Sequence, residues 1–141
     1  MKKASWIILT IVGVLTLALS VASAVNAYST NDYLIGPARV SELGAGRPDV
    51  VSALRGIRGT AAAYAAAYGA LFLTIVLGPY RRGEVWAWWV LLAGGLTQLA
   101  IALLRIPFLG TQLGVAAPAL HFGPLIVGLL LDVGRLKGTA R

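Results

Sequence analysis

Apolar residues in this chain are gathered into four long runs, and charged residues are confined to the segments between these runs and at the two ends of the chain. The runs cover residues 6–27, 59–78, 85–104 and 114–131, and none of them contains Lys, Arg, Asp or Glu. A helix needs about 20 mostly apolar residues to cross the hydrocarbon core of a bilayer. The pattern therefore predicts one transmembrane domain over residues 1–141, with helices at about 6–27, 50–78, 85–104 and 114–133.

The first run also has features of a secretory signal peptide. Lys2 and Lys3 precede the apolar stretch, and the triplets at residues 22–24 and 25–27 resemble cleavage sites. Against this alternative, the run is longer than the apolar core of about 7–15 residues that signal peptides have. We interpret it as an uncleaved first transmembrane helix.

The basic residues predict which side of the membrane each loop faces, because Lys and Arg are retained on the cytoplasmic side during insertion. With the N-terminus inside, the inner segments hold Lys2, Lys3, Arg81, Arg82, Arg135, Lys137 and Arg141, and the outer segments hold Arg39, Arg47, Arg55, Arg58 and Arg105. The excess of inner cations predicts a multi-pass protein of the bacterial inner membrane with both termini in the cytoplasm.

The segment between the first two helices, residues 28–48, is rich in glycine and proline, which disfavour long regular elements. Only a short helical turn around Val40 and Leu43 is expected there. The fold class predicted is an all-α integral membrane protein: a compact antiparallel four-helix bundle with a long outer loop between helices 1 and 2.

Composition excludes several kinds of chemistry. Of the 141 residues, 58% are hydrophobic and 12% are charged, and there is no cysteine and one histidine. A disulfide or thiolate site is impossible, and too few ligands exist for a metal site, so no metal or cofactor is expected. The net charge of +7 does not predict nucleic-acid binding, since the cations flank apolar runs and form no stripe. Membrane lipids are the expected partners.

Polar residues on three of the predicted helices occur at similar depths, roughly 7–13 Å below the outer edge at ~1.5 Å per residue. The candidate ligand-binding set, including arginines nearer the edge, is His121, Gln98, Tyr64, Tyr68, Arg105, Arg55 and Arg58. One interpretation is an outward-opening pocket for a quinone, isoprenoid or lipid. The alternative is that the polar groups form interhelical hydrogen bonds while the arginines extend to lipid phosphates.

A family resemblance supports the layout. The run at residues 54–59, Leu-Arg-Gly-Ile-Arg-Gly, the helix rich in Ala and Tyr that follows it, and a third helix ending at Arg105 resemble the small bacterial DoxX-like membrane proteins and related domains of unknown function. The resemblance covers the layout of nearly the whole chain. It implies a four-helix bundle with a long first loop, and it carries over no catalytic residues.

Two functions remain open from the sequence. The first is an accessory or interaction subunit, or a homo-oligomer, that acts through protein partners or bound lipid without chemistry of its own. The rival is a binding protein or enzyme for a lipophilic ligand in the outer half of the bundle. The first is favoured over an enzyme, because no carboxylate shares the predicted depth of His121 for acid–base work.

Overall fold

The computed structural model describes residues 2–29, 32–112 and 114–137, without the side chains of Lys2 and Lys137. Arg141, one of the predicted inner cations, lies outside these ranges. The described chain is mostly helical (82%). Its elements are α1 (Lys2–Tyr28), β1 (Leu34–Ile35), β2 (Ala38–Arg39), α2 (Val40–Leu43), α3 (Pro48–Ile75), α4 (Val85–Leu103), α5 (Arg105–Leu109), α6 (Ala116–Leu130) and a 3₁₀ helix (Val133–Lys137).

Three helical segments are long and apolar enough to cross a membrane: Lys3–Tyr28, Pro48–Tyr80 and Val85–Leu109. The second of them extends α3 through a π-helical turn, Val76–Tyr80, that contains Pro79. Proline has no amide hydrogen and cannot donate to the preceding turn, which accounts for the wider turn there.

The fourth predicted helix is shorter than expected. The sequence predicts residues 114–133, whereas α6 covers only Ala116–Leu130, which is ~22 Å at 1.5 Å per residue. Gly114 has a φ of +80°, outside the right-handed helical region, and the chain turns at residues 131–132 before the 3₁₀ helix. Gly114 therefore delays the start of α6.

The chain divides into two compact units, of which the first comprises Met1–Val14 and Ala70–Arg141. In this unit glycines let helices approach closely. Gly95 of α4 lies against the buried side chain of Leu125 of α6, and a Cβ on Gly128 would come within 2.8 Å of Leu9 of α1. The α6 helix thus packs against α4 through the side chain of Leu125 and against α1 through Gly128.

The second unit comprises Leu15–Gly69. Here a Cβ on Gly69 would lie 3.2 Å from the backbone nitrogen of Leu17, so α1 and α3 approach almost to backbone contact. The predicted short helical turn is present as α2, and it follows an unpredicted hairpin in which Leu34 pairs with Arg39 and Ile35 with Ala38. Gly36, with a φ of +62°, makes the turn between the two strands.

Candidate functional site

The first unit contains a cleft of about 600 Å³ at one end of its helices. Its lining is mostly cationic and consists of Lys3, Trp6, Arg81, Arg82, Gly83 and Arg135. These residues come from the start of α1, the turn between α3 and α4, and the 3₁₀ helix after α6. The volume is in the range of small-molecule binding sites.

Arg135 is held rigidly at this end by buried groups. It forms an ion pair with Asp132, and the two side chains are only 9% and 2% exposed. The Arg135 guanidinium also lies 4.0 Å from the centroid of the Tyr80 ring and donates to the Glu84 carbonyl at 3.4 Å. Since Asp132 neutralises it, Arg135 contributes hydrogen-bond donors and shape to the cleft more than net charge.

Below the ring of Tyr80, a serine connects three helices. Ser5 Oγ donates to the Gly128 carbonyl at 2.7 Å and lies 2.6 Å from Tyr80 Oη. Because the single Ser5 proton is used by Gly128, Tyr80 must donate to Ser5. Gly128 is among the last four residues of α6, whose carbonyls lack partners within the helix, so this network also satisfies a helix end.

Arg82 is the second cation with a carboxylate partner. Glu84 Oε1 lies 2.8 Å from its Nη2, and Glu84 Oε2 accepts a 2.6 Å hydrogen bond from Trp86 Nε1. The hydrogen bond from Trp86, followed by that from Arg82, lowers the pKa of Glu84 below its usual value. Glu84 is therefore ionised at neutral pH and offsets the charge of Arg82.

Lys3 and Arg81 are different, because within the described parts of the chain neither has a carboxylate within ion-pair distance. The Arg81 guanidinium lies 4.9 Å from the centroid of the Trp6 ring, a cation–π contact that fixes its position without neutralising it. The cleft therefore has two uncompensated positive charges, held beside an aromatic ring. This arrangement suits an anion and opposes a metal cation.

The sequence-predicted site residues are divided between the two units. In the first unit, Gln98 lies on α4 with a buried Oε1 that has no hydrogen-bond partner among the described residues. His121 lies on α6 with its ring 5.5 Å from that of Phe72, edge to face. The Arg105 guanidinium, at the start of α5, lies against Gly114. Phe122 of α6 lies beside Gly95 of α4, and Gly95 is one turn before Gln98. His121, which precedes Phe122, is therefore at a level similar to that of Gln98 on the two packed helices.

The second unit holds the other four predicted residues, all on α3. Arg55 and Arg58 are brought together over the ring of Tyr33, with guanidinium carbons 5.9 and 4.2 Å from its centroid. Tyr64 is 74% exposed, and Tyr68 is partly buried. The arginine pair is thus one cluster with Tyr33, a residue that the sequence did not single out.

The cleft itself was missed by sequence reasoning, which treated Arg81 and Arg82 only as determinants of topology. The available signal was the charge count, because Lys3, Arg81, Arg82 and Arg135 were all assigned to the same side of the membrane. Same-side cations can form a site only if the helices that carry them are neighbours. That adjacency is a property of the fold.

No family model, curated protein or solved structure matches this chain. The class that the fold defines is a mostly helical protein with three helices long and apolar enough to cross a membrane. The resemblance to DoxX-like proteins stays a prediction.

Proposed function

We propose that this chain is a four-helix integral protein of the bacterial inner membrane that binds the headgroup of an anionic phospholipid in the basic cleft. The observation that carries the proposal is the pair of uncompensated cations, Lys3 and Arg81, which line one cleft with Trp6. Basic pockets at the cytoplasmic ends of transmembrane helices are suited to acidic headgroups. Trp6 and Trp86 add amphipathic rings of the kind enriched at membrane interfaces.

The orientation proposed has the cleft on the cytoplasmic side. Cations from three distant segments, Lys3, Arg81 with Arg82, and Arg135, line the same cleft, so they lie at one end of the first unit. Such clustering is expected if these segments all remained in the cytoplasm during insertion. It supports an N-terminus and a C-terminus on the same, inner side.

The fourth span is proposed to be α6, although the helix Ala116–Leu130 covers only ~22 Å of a hydrocarbon core of ~30 Å. A bilayer accommodates a short span by thinning locally around it. Asp132 follows directly after this span, and its buried ion pair with Arg135 removes the cost of an isolated charge there.

The biological role that follows is that of an accessory subunit or homo-oligomer that acts through bound lipid. Apart from the cleft, the large exposed side chains of α1 and α4 are apolar, such as Leu19 at 69% and Ile101 at 62% exposed. Such surfaces suit contact with lipid tails or with the helices of another membrane subunit.

Lipid retention tests the proposal. The full chain, purified in a neutral detergent, is expected to carry an acidic phospholipid detectable by native mass spectrometry. Arg81→Gln and Lys3→Gln should each weaken the affinity for that lipid about fivefold, and so lower its retention, from about 1 kcal/mol per cation at a membrane surface. Arg47→Gln is the matched control, because Arg47 is 69% exposed and paired with Asp49 in the second unit. Equal retention in all four proteins would refute the proposal.

The proposed topology has its own test, since the chain has no native cysteine. Ala45→Cys lies in the first loop and Val133→Cys follows α6, and both positions are exposed. A membrane-impermeant maleimide added to intact spheroplasts should label Ala45→Cys alone. Labelling of Val133→Cys alone would show that the orientation is opposite to the one proposed. Labelling of both positions would contradict the four-span arrangement.

A second candidate function is favoured by Gln98. A buried amide oxygen without a partner is costly in an apolar setting, so a ligand with a hydroxyl group, such as a reduced quinone or an isoprenoid alcohol, would satisfy it. His121 lies at the same level on α6 and would contact the same ligand. Replacing Gln98 and His121 together by Leu should abolish retention of a neutral lipid. Survival of that lipid would eliminate this candidate and leave the cleft proposal intact.

A further inference from the structure

Tyr33, in the second unit, has a buried hydroxyl that no described group satisfies. The residue is 9% exposed, and its backbone carbonyl accepts a 3.1 Å hydrogen bond from the Val40 amide. Its Oη is fully buried and makes no hydrogen bond to any residue that the structure describes. Because such a hydroxyl is unfavourable without a partner, this position is suited to a small bound acceptor.

Two guanidinium groups surround the ring of the same tyrosine. Arg58 lies 4.2 Å and Arg55 5.9 Å from the ring centroid. Arg58 Nε donates to Ser23 Oγ at 3.2 Å, and Arg55 Nη1 donates to the Ser29 carbonyl. Both arginines are therefore fixed by α1 and its C-terminal end. Arg58 still has Nη donors beside the tyrosine ring.

The carboxylates of this unit have partners other than Arg58, and one of them, Asp32, also has a charge interaction with Arg55. Asp32 accepts hydrogen bonds from the Ser41 backbone and hydroxyl at 3.1 and 2.6 Å, and it lies 3.8 Å from Arg39. The other two acidic residues, Glu42 and Asp49, accept from the Arg39 amide and from Arg47, both at 2.9 Å. Among the described residues no carboxylate forms an ion pair with Arg58.

We propose that the second unit binds a small oxyanion, a phosphate or carboxylate group, between Tyr33 Oη and the guanidinium of Arg58. A phenol and a guanidinium both donate, and an oxyanion supplies several acceptors to both at once. The bound anion would satisfy the buried hydroxyl and compensate the arginine charge. This site is separate from the basic cleft and shares none of its residues.

Binding is tested with inorganic phosphate on the full chain in a neutral detergent, in the Arg81→Gln background so that the cleft contributes little. Phosphate should shift the ring resonances of ¹³C-labelled Tyr33, assigned by their loss in Tyr33→Phe. By equilibrium dialysis, Tyr33→Phe should weaken phosphate binding about tenfold, the effect of one charge-assisted hydrogen bond. Arg58→Gln should weaken it further.

The matched control is Tyr64→Phe, which removes an exposed hydroxyl from the same unit and should leave phosphate affinity unchanged. If Tyr33 Oη holds only an ordered water, Tyr33→Phe will also leave the affinity unchanged, and the proposal is overturned.

The source of the anion is distinguished with vesicles. If the Tyr33 resonances shift in vesicles that contain phosphatidylglycerol, compared with vesicles of phosphatidylcholine alone, the site binds a lipid headgroup. If they shift with free phosphate and not with phosphatidylglycerol, the site binds a soluble anion.

Discussion

The serine network beneath the cleft gives the sharpest stability prediction. Ser5→Ala removes the acceptor of the Tyr80 hydroxyl and the donor to the Gly128 carbonyl. Both Ser5 and Tyr80 are fully buried, so water cannot replace the lost partners. An unsatisfied buried hydroxyl costs about 1–3 kcal/mol and a lost hydrogen bond about 1 kcal/mol. The expected loss in the free energy of unfolding is therefore about 2–4 kcal/mol.

Ser20→Ala is the matched control. Ser20 is 6% exposed, and its hydroxyl donates only to the Thr16 carbonyl of the same helix, at 2.7 Å. Its removal leaves no donor on a second helix unsatisfied, so the loss should stay below about 1 kcal/mol. Unfolding by a denaturing detergent in mixed micelles, followed by tryptophan fluorescence, measures both variants.

A double-mutant cycle separates the hydrogen bond from general packing. In the Tyr80→Phe background there is no hydroxyl to leave unsatisfied, so Ser5→Ala should cost at least about 1 kcal/mol less than in the native chain. Additive losses, or a Ser5→Ala effect no larger than that of Ser20→Ala, would refute the assigned hydrogen-bond directions and the free energy attributed to these bonds.

Three further changes test other parts of the structure. Arg135→Met strands the buried Asp132 carboxylate and should cost about 3–5 kcal/mol in the same unfolding assay, whereas adding Asp132→Leu should recover most of that loss. Gly95→Ala should cost about 1–3 kcal/mol, because its Cβ would overlap a fully buried leucine of α6, whereas Gly123→Ala meets open space and should cost little. Hydrogen bonds from Ser41 lower the pKa of Asp32 below its ordinary value of 3.8. The stability that ionised Asp32 contributes to the fold is therefore fully present above pH 3.8 and is lost as the pH falls through the lowered pKa. Amide exchange in the hairpin should accelerate there, beyond the intrinsic pH effect, and Asp32→Asn should remove that acceleration.

The cleft shows why the candidate site could be predicted only in part. Counting residues along a helix gives a depth, which is how Gln98 and His121 were placed at similar levels. It does not give which helix is the neighbour or which cation has an acid beside it. Arg82 and Arg135 are neutralised by nearby carboxylates, whereas Lys3 and Arg81 have none among the described residues, and that distinction depends on side-chain positions.

What the sequence determined by itself is the set of long apolar helices, because the free energy of placing a segment in lipid depends mainly on its own composition and length. It also placed the basic residues at the ends of those helices. The tertiary structure decided where α6 begins and ends, the stacking of Arg55 and Arg58 on Tyr33, and the assembly of the basic cleft from residues 3, 6, 81–83 and 135. Contacts between residues so far apart in the chain depend on helix packing through Gly95 and Gly128, which no local pattern specifies.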